Sequence, residues 1–149
     1  MKLRKLLAGA AVATAALATF STPANASGYT AEGLCGSGYK VVRSVTLTHA
    51  RAYLLYNRGN AYACAVTLHT GKAYGHKAPT RSWLEQWNVP RQKANKGSYK
   101  YYAGPVRMRV GEYGDCLFSG GITYAGKAES GGFTNPHKPL RCSTGRYDT

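Results

Sequence analysis

The hydrophobic pattern falls into two unlike parts. Leu6 to Phe20 is one unbroken apolar run, relieved only by Gly and Thr, and everything after it is short and mostly alternating. The run follows Lys2, Arg4 and Lys5 and precedes Ser21-Thr22-Pro23-Ala24-Asn25-Ala26. A basic start, an apolar stretch and the small-x-small triplet Ala24-Asn25-Ala26 predict a secretory leader over 1–26, cleaved before Ser27. Pro23 lacks an N–H and ends the leader helix. The run is shorter than the roughly 18 to 20 apolar residues that a membrane-spanning helix needs, and no later segment approaches that length. No cysteine stands at the cleavage point, which argues against a lipid anchor. Residues 27–149 are then expected to form a single domain.

That domain reads as strands. Tyr39 to Leu47 is rich in β-branched residues, and Ala52 to Tyr56 is a second apolar run. Ala61 to His69 alternates, with Tyr62, Cys64, Val66 and Leu68 on one face. Asn57-Arg58-Gly59-Asn60 between them supplies Gly and Asn for a turn, so the two runs predict a β-hairpin. Tyr99 to Tyr102, Val106 to Val110 and Cys116 to Phe118 predict further strands. In the second of these Val106, Met108 and Val110 alternate with Arg107 and Arg109, the pattern of a strand with one wet face. Glu112 to Asp115 is expected to be another hairpin turn. Arg81 to Trp87 suits a short helix or a strand with Trp83 and Trp87 on one face. The Gly- and Pro-rich stretch 119–140 reads as a long loop with at most one strand. The fold class is therefore all-β, a small antiparallel sandwich or barrel.

Four cysteines, Cys35, Cys64, Cys116 and Cys142, all follow the leader, with no CxxC pair among them. In an exported small domain an even count predicts two disulfides. Three pairings exist. Cys35–Cys64 with Cys116–Cys142 is favoured, because it closes moderate loops at each end, whereas Cys35–Cys142 ties the termini together. Each closure is worth roughly 3–5 kcal/mol by chain entropy.

Charge changes the picture of partners. The chain carries 20 Lys and Arg against six Asp and Glu, formally +14, and losing the leader's three cations leaves +11. Such a balance favours solubility and polyanions alike: for an exported protein a solvated basic surface and an anionic envelope partner weigh about equally, and nucleic acid ranks below both. The cations concentrate as Lys72, Lys77, Arg81, Arg91, Lys93, Lys96 and Lys100, with Glu85 alone against them and Tyr74, Trp83, Trp87 and Tyr99 interleaved. Cations with aromatics suit polyanions and sugars, the rings stacking while the cations meet anionic groups. Tryptophan is usually buried, so the favoured reading puts Trp83 and Trp87 in the core and the cations on a wet loop. The tryptophans become stacking contacts only if exposed.

Candidate chemistry is sparse. The carboxylates Glu32, Glu85, Glu112, Asp115, Glu129 and Asp148 are scattered, and Glu112 with Asp115 flanks a turn. His49, His69, His76 and His137 match no metal-ligand spacing; His69 and His76 are the one pair with any claim to share an ion. Gly36-Ser37-Gly38 precedes a strand and is an entry to it, not a phosphate loop. No catalytic residue, cofactor or metal is predicted.

The order of short motifs carries a resemblance. Leu34-Cys35-Gly36-Ser37-Gly38-Tyr39, Tyr53-Leu54-Leu55-Tyr56-Asn57, Cys64 with Val66-Thr67-Leu68, Tyr101-Tyr102-Ala103-Gly104-Pro105-Val106, then Cys116, Gly120-Gly121 and Cys142 follow one another. This resembles the spore-associated protein A family of small secreted proteins from filamentous, spore-forming actinobacteria. The resemblance implies export and association with the spore or cell surface, and transfers no enzymatic residue. Lys72 to Lys100 matches no family motif. The expected function is a non-enzymatic, secreted, surface-associated protein held by anionic envelope polymers. A secreted hydrolase or nuclease acting on a polyanion, and an inhibitor-like protein-binding domain, are the alternatives.

Overall fold

The computed structural model describes residues 28–147. The leader lies outside the described residues. After a short helix α1 (Ala31–Cys35) come β1 (Tyr39–Thr46), β2 (Ala50–Asn57), β3 (Tyr62–His69), a 3-10 turn (Gly71–Ala73), β4 (Ala78–Gln86), β5 (Arg91–Tyr99), β6 (Tyr102–Arg109), β7 (Asp115–Tyr124), β8 (Lys127–Phe133) and β9 (Leu140–Arg141). One sheet has the order β1-β2-β3-β6, the other β5-β4-β7-β8, with β9 paired to β7. Every pairing is antiparallel. This is the all-β sandwich with two disulfides that the alternating pattern predicts. Among the described residues no helix is long and apolar enough to cross a membrane.

The core between the sheets takes Leu54 and Tyr56 from β2, Val106 and Met108 from β6, Leu84 from β4 and Phe118 from β7. Beta3 offers it only Ala63 and Ala65. The larger side chains of β3, Cys64, Val66 and Leu68, are on the opposite face and would meet water in a bare sandwich. They are buried instead under the segment that carries α1, in a second cluster with Ala31, Cys35, Tyr39 and Leu55. Alternation thus assigned the β3 faces, and both faces are covered.

Alpha1 is a lid with three fastenings. Thr30 caps it, its Oγ accepting from Gly33 N at 3.0 Å, and Gly36, at φ 110°, ends it. Cys35 is bonded to Cys64 beneath it. Arg107 donates to the carbonyls of Cys35 and Leu34 at 2.8 and 2.9 Å. Arg107 stands opposite Cys64 in the β3–β6 ladder, so the wet face read for β6 is where the lid is tied down. No sequence signal marked this five-residue helix, which is too short to show a period.

The second disulfide, Cys116–Cys142, ties the end of the chain to β7, so the favoured pairing is the one formed. The 57–60 hairpin also forms, between β2 and β3. Other expectations change. Arg81 to Trp87 is strand, not helix, and Trp87 falls just beyond it. Glu112 to Asp115 is no hairpin turn: β6 pairs with β3 and β7 with β4, so this link carries the chain from one sheet to the other. The stretch 119–140 is mostly strand, the rest of β7 and all of β8, joined at Ala125-Gly126 with φ of 49° and 77°. Its strand glycines are there for close approach. A Cβ on Gly120 would sit 2.6 Å from the Ala52 Cβ, and one on Gly131 would sit 2.9 Å from Val45 and Leu47. These glycines keep the sheets near each other, which a loop reading misses.

Candidate polyanion-binding face

Strand parity decides which cations share a surface. In β4, Thr80, Ser82 and Leu84 point inward and are buried, so Arg81, Trp83 and Glu85 point outward. In the β4–β5 ladder Arg81 faces Lys96, Trp83 faces Ala94 and Glu85 faces Gln92. Lys93 and Arg91 pair with Leu84 and Gln86 and lie on the other side of β5. Lys72 belongs to the 3-10 turn, Lys77 to the link before β4, and Lys100 to the turn between β5 and β6. All seven cations are exposed. The structure brings Arg81 and Lys96 together, leaves Arg91, Lys93 and Lys100 along β5 and its end, and puts Lys72 beside Tyr124 at the end of β7.

Arg81 and Lys96 border a shallow groove of about 260 Å³ that also touches Gly121, Thr123, Ser130 and Glu129, whose carboxylate is bonded to His49. Gly121 stands opposite both Arg81 and Ser130, so the groove has no side chain rising from its middle. Arg81 reaches Ser119 Oγ at 3.5 Å, and neither cation is in an ion pair among the described residues. Two like charges directly opposite across a ladder repel each other. Sequence reasoning notes Gly121 only as part of the Gly120-Gly121 motif, and Ser119 and Ser130 not at all; the repeated Ser-Gly-Gly of 119–121 and 130–132 is the signal that could have found them.

Trp83 corrects the expectation of a core tryptophan. It lies half-buried on the outer face, its Nε1 donating to Gln92 Oε1 at 3.0 Å, so one edge of the indole is fixed beside the cations. Trp87 is also half-buried, and its backbone N donates to Asp115 O at 2.8 Å. Arg91 donates to Arg109 O at 2.9 Å and Asn95 accepts from Gly104 N at 2.8 Å. Both contacts close the β5–β6 side of the sandwich, so Arg91 is engaged structurally.

The histidines have structural surroundings. His69 is buried, Nδ1 3.2 Å from Ala73 O and Nε2 2.6 Å from Thr80 Oγ. A carbonyl only accepts, so Nδ1 carries the proton, and the single Thr80 hydroxyl hydrogen has two acceptors within reach, Nε2 and Ala78 O at 2.9 Å. Burial lowers its pKa below the ordinary range, against the raising effect of the Ala73 carbonyl. It links β3 to β4 and is cut off from solvent. His49 at the β1–β2 turn meets Glu129 of β8, with Glu129 Oε2 3.1 Å from His49 N and 3.2 Å from Nδ1. The Thr48 hydroxyl first, and His49 after it, hold the Glu129 carboxyl below its usual range. This contact latches the open β1–β8 side. Among the described residues no group of three or more His, Cys, Asp or Glu is placed to hold a metal ion.

A larger hollow, about 540 Å³, lies elsewhere, lined by Tyr56, Arg58, Glu112, Tyr113 and Arg141 among others. Its charges are mixed, and Arg141 is paired with Asp115 at 3.5 Å and bonded to Tyr113 O. Arg58, which also lines the hollow, is in no ion pair among the described residues, and neither is Arg81 or Lys96 on the β4–β5 face.

Comparison with known proteins yields one curated relative, 33% identical over 91 residues. The chain is similar to spore-associated protein A of Streptomyces coelicolor. The match covers 60% of this chain and 56% of the relative, so it spans little more than half of spore-associated protein A. No family model matches the chain, and no solved structure does. The motifs that carry the resemblance to the spore-associated protein A family are scaffold. Cys35 and Cys64 fasten the lid, Cys116 and Cys142 fasten the end of the chain, and Gly120 brings the sheets together. The seven cations lie outside those motifs, whereas Gly121, on the floor of the groove, belongs to one.

Proposed function

We propose that residues 1–26 export this protein and that the remainder, without catalysing a reaction, is retained at the spore or cell surface by anionic envelope polymers. The observation that carries this reading is the in-register pair Arg81 and Lys96, exposed, without an acidic partner among the described residues, beside a glycine-floored groove. A polymer's phosphate or carboxylate groups relieve the repulsion between the two. Lys93 and Lys100 extend the field along β5, Lys72 and Lys77 extend it before β4, and Trp83 adds a stacking surface beside the pair. The disulfides fit an oxidising location outside the cytoplasm, and the similarity to spore-associated protein A supports surface association.

The test is sedimentation of the purified, oxidised protein with isolated cell walls across a salt series, before and after the anionic polymer is extracted. Binding is expected to fall steeply with salt and to vanish with the polymer. Arg81→Gln with Lys96→Gln should lower the slope of log K against log salt by about one per cation removed. An absence of binding at low salt overturns the proposal.

A further inference from the structure

Twelve tyrosines stand in this chain, and the structure gathers several of them at the lid end of the sandwich, away from the Arg81–Lys96 groove. Tyr29, just before α1, packs against Tyr101 at 5.3 Å between ring centroids and against Tyr102 at 5.0 Å. Tyr101 in turn packs against Tyr74 at 5.0 Å. All three contacts are tilted, with interplanar angles of 45°, 62° and 60°, so the rings make an uneven wall and not a flat stack. Tyr29 is 37% exposed, and the other three are half-buried.

Two hollows open on either side of Tyr29. One, of about 320 Å³, is lined by Tyr99, Tyr102, Asn95 and Lys100; the other, of about 300 Å³, by Tyr53, Tyr74, Thr30 and Glu32. Each is at the small end of the range for ligand sites, which is roughly 300–1,000 Å³. A buried tyrosine usually gives its hydroxyl a partner. Tyr56 and Tyr124 do so here, donating to Gly111 O and Lys72 O. The hydroxyls of Tyr29, Tyr74, Tyr101 and Tyr102 have no partner among the described residues. Asn95 spends its Oδ1 on Gly104 N, which leaves its amide N–H groups for a ligand.

We propose that this tyrosine-lined cleft binds a neutral, equatorially linked pyranose chain, with Tyr29 between two sugar subsites. A pyranose in such a chain shows C–H bonds on its flat faces and hydroxyls around its rim. The electron-rich faces of tyrosine attract the C–H bonds, and the free phenol, amide and threonine groups meet the hydroxyls. One cation and one carboxylate, Lys100 and Glu32, border the two hollows, so the cleft has no net preference for an anion. The cleft shares Lys100 with the cationic field but no residue with the Arg81–Lys96 groove, so the two sites are tested apart by substitutions at Tyr29 and at Arg81.

The test uses the oxidised protein and two soluble neutral probes, cellohexaose and chitohexaose. Tyrosine ring resonances are followed by NMR, and affinity by calorimetry at low and at molar salt. At least one probe is expected to shift the rings of Tyr29, Tyr74, Tyr101 and Tyr102, with an affinity that salt leaves unchanged. Tyr29→Ala should weaken it about fivefold to tenfold, Tyr29→Phe less, and Arg81→Gln not at all. Three results overturn the proposal. The first is that neither probe shifts those rings, in the unmodified protein, where folding of a variant is not at issue. The second is that binding is lost in molar salt or with Arg81→Gln, which moves it to the cationic face. The third is that a polyproline peptide shifts the same rings while neither glycan does, which makes the cleft a peptide site.

Discussion

Gly120→Ala probes the distance between the two sheets. The new Cβ would lie 2.3 Å from Thr67 Oγ and 2.6 Å from the Ala52 Cβ. Carbon atoms in contact sit roughly 3.5–4.0 Å apart. Thr67 and Ala52 are fully buried on the inner faces of β3 and β2, so neither can swing into solvent. Thr67 can turn about χ1, but the Ala52 Cβ is fixed to the backbone, and β2 must move away from β7. Overpacking of this kind costs about 1–3 kcal/mol. For a domain of this size each kcal/mol lowers Tm by about 4 °C, so a fall of roughly 4–12 °C is expected. The assay is thermal and urea unfolding of the oxidised protein by circular dichroism. Thr67→Ala in the same background removes the nearer obstacle and leaves Ala52, so it should restore part of the loss, with a coupling of at least about 0.5 kcal/mol. The Thr67 hydroxyl has no hydrogen-bond partner among the described residues, so removing it breaks none there. If Gly120→Ala unfolds within 1 °C of the parent, or the two changes simply add, the close-approach account of the strand glycines is wrong.

Four further outcomes can be measured. Arg107→Met keeps the apolar stem but loses both bonds to the α1 carbonyls; it should cost about 1.5–3 kcal/mol and speed hydrogen exchange in 31–36. Removing the Cys116–Cys142 bridge as a paired alanine variant should cost about 3.5 kcal/mol for its 26-residue separation, read from the shift of the urea midpoint. His69 is held neutral by burial, so the unfolded chain binds a proton near pH 6.5 that the folded one refuses. Its contribution is therefore complete above that pH and is lost as pH falls towards the lowered folded value, and His69→Gln should flatten the stability profile there. Glu129 acts at lower pH: its carboxyl is lowered, so its contribution is present above about pH 4.5 and disappears as pH falls through the folded value. Glu129→Gln should remove that part of the acid transition, while an unchanged profile would show that the latch to His49 and Thr48 does not form.

Much of the fold was legible because its signals are local. Alternation along 61–69 and 106–110 marks strands whatever surrounds them, since successive side chains point to opposite faces. Asn57 to Asn60 marks a hairpin because the turn needs particular backbone angles. Moderate spacing favoured the cysteine pairing that the structure contains. What failed was local evidence with two physical meanings. Glycine signals a turn by its freedom at positive φ, but Gly120, Gly131 and Gly132 serve by lacking a side chain where another strand lies close. Glu112 to Asp115 has a hairpin's composition, yet turns the chain between sheets. Trp83 is apolar enough for the core, but the parity of β4 puts Leu84 inside and Trp83 out.

The candidate site divides in the same way. The sequence by itself determined that the chain is basic, that its cations gather in 72–100, that its cysteines pair, and that strands dominate. It also carried the resemblance that the comparison with spore-associated protein A supports. Only the tertiary structure decided that Arg81 and Lys96 meet while Lys93 turns to the other side, that Gly121 opens a groove between strands, and that Tyr29 joins tyrosines seventy residues away. The reason is physical. Composition and period follow from each residue and its neighbours, but a binding face is made by pairing strands, and one residue of register exchanges every side chain on that face for its neighbour.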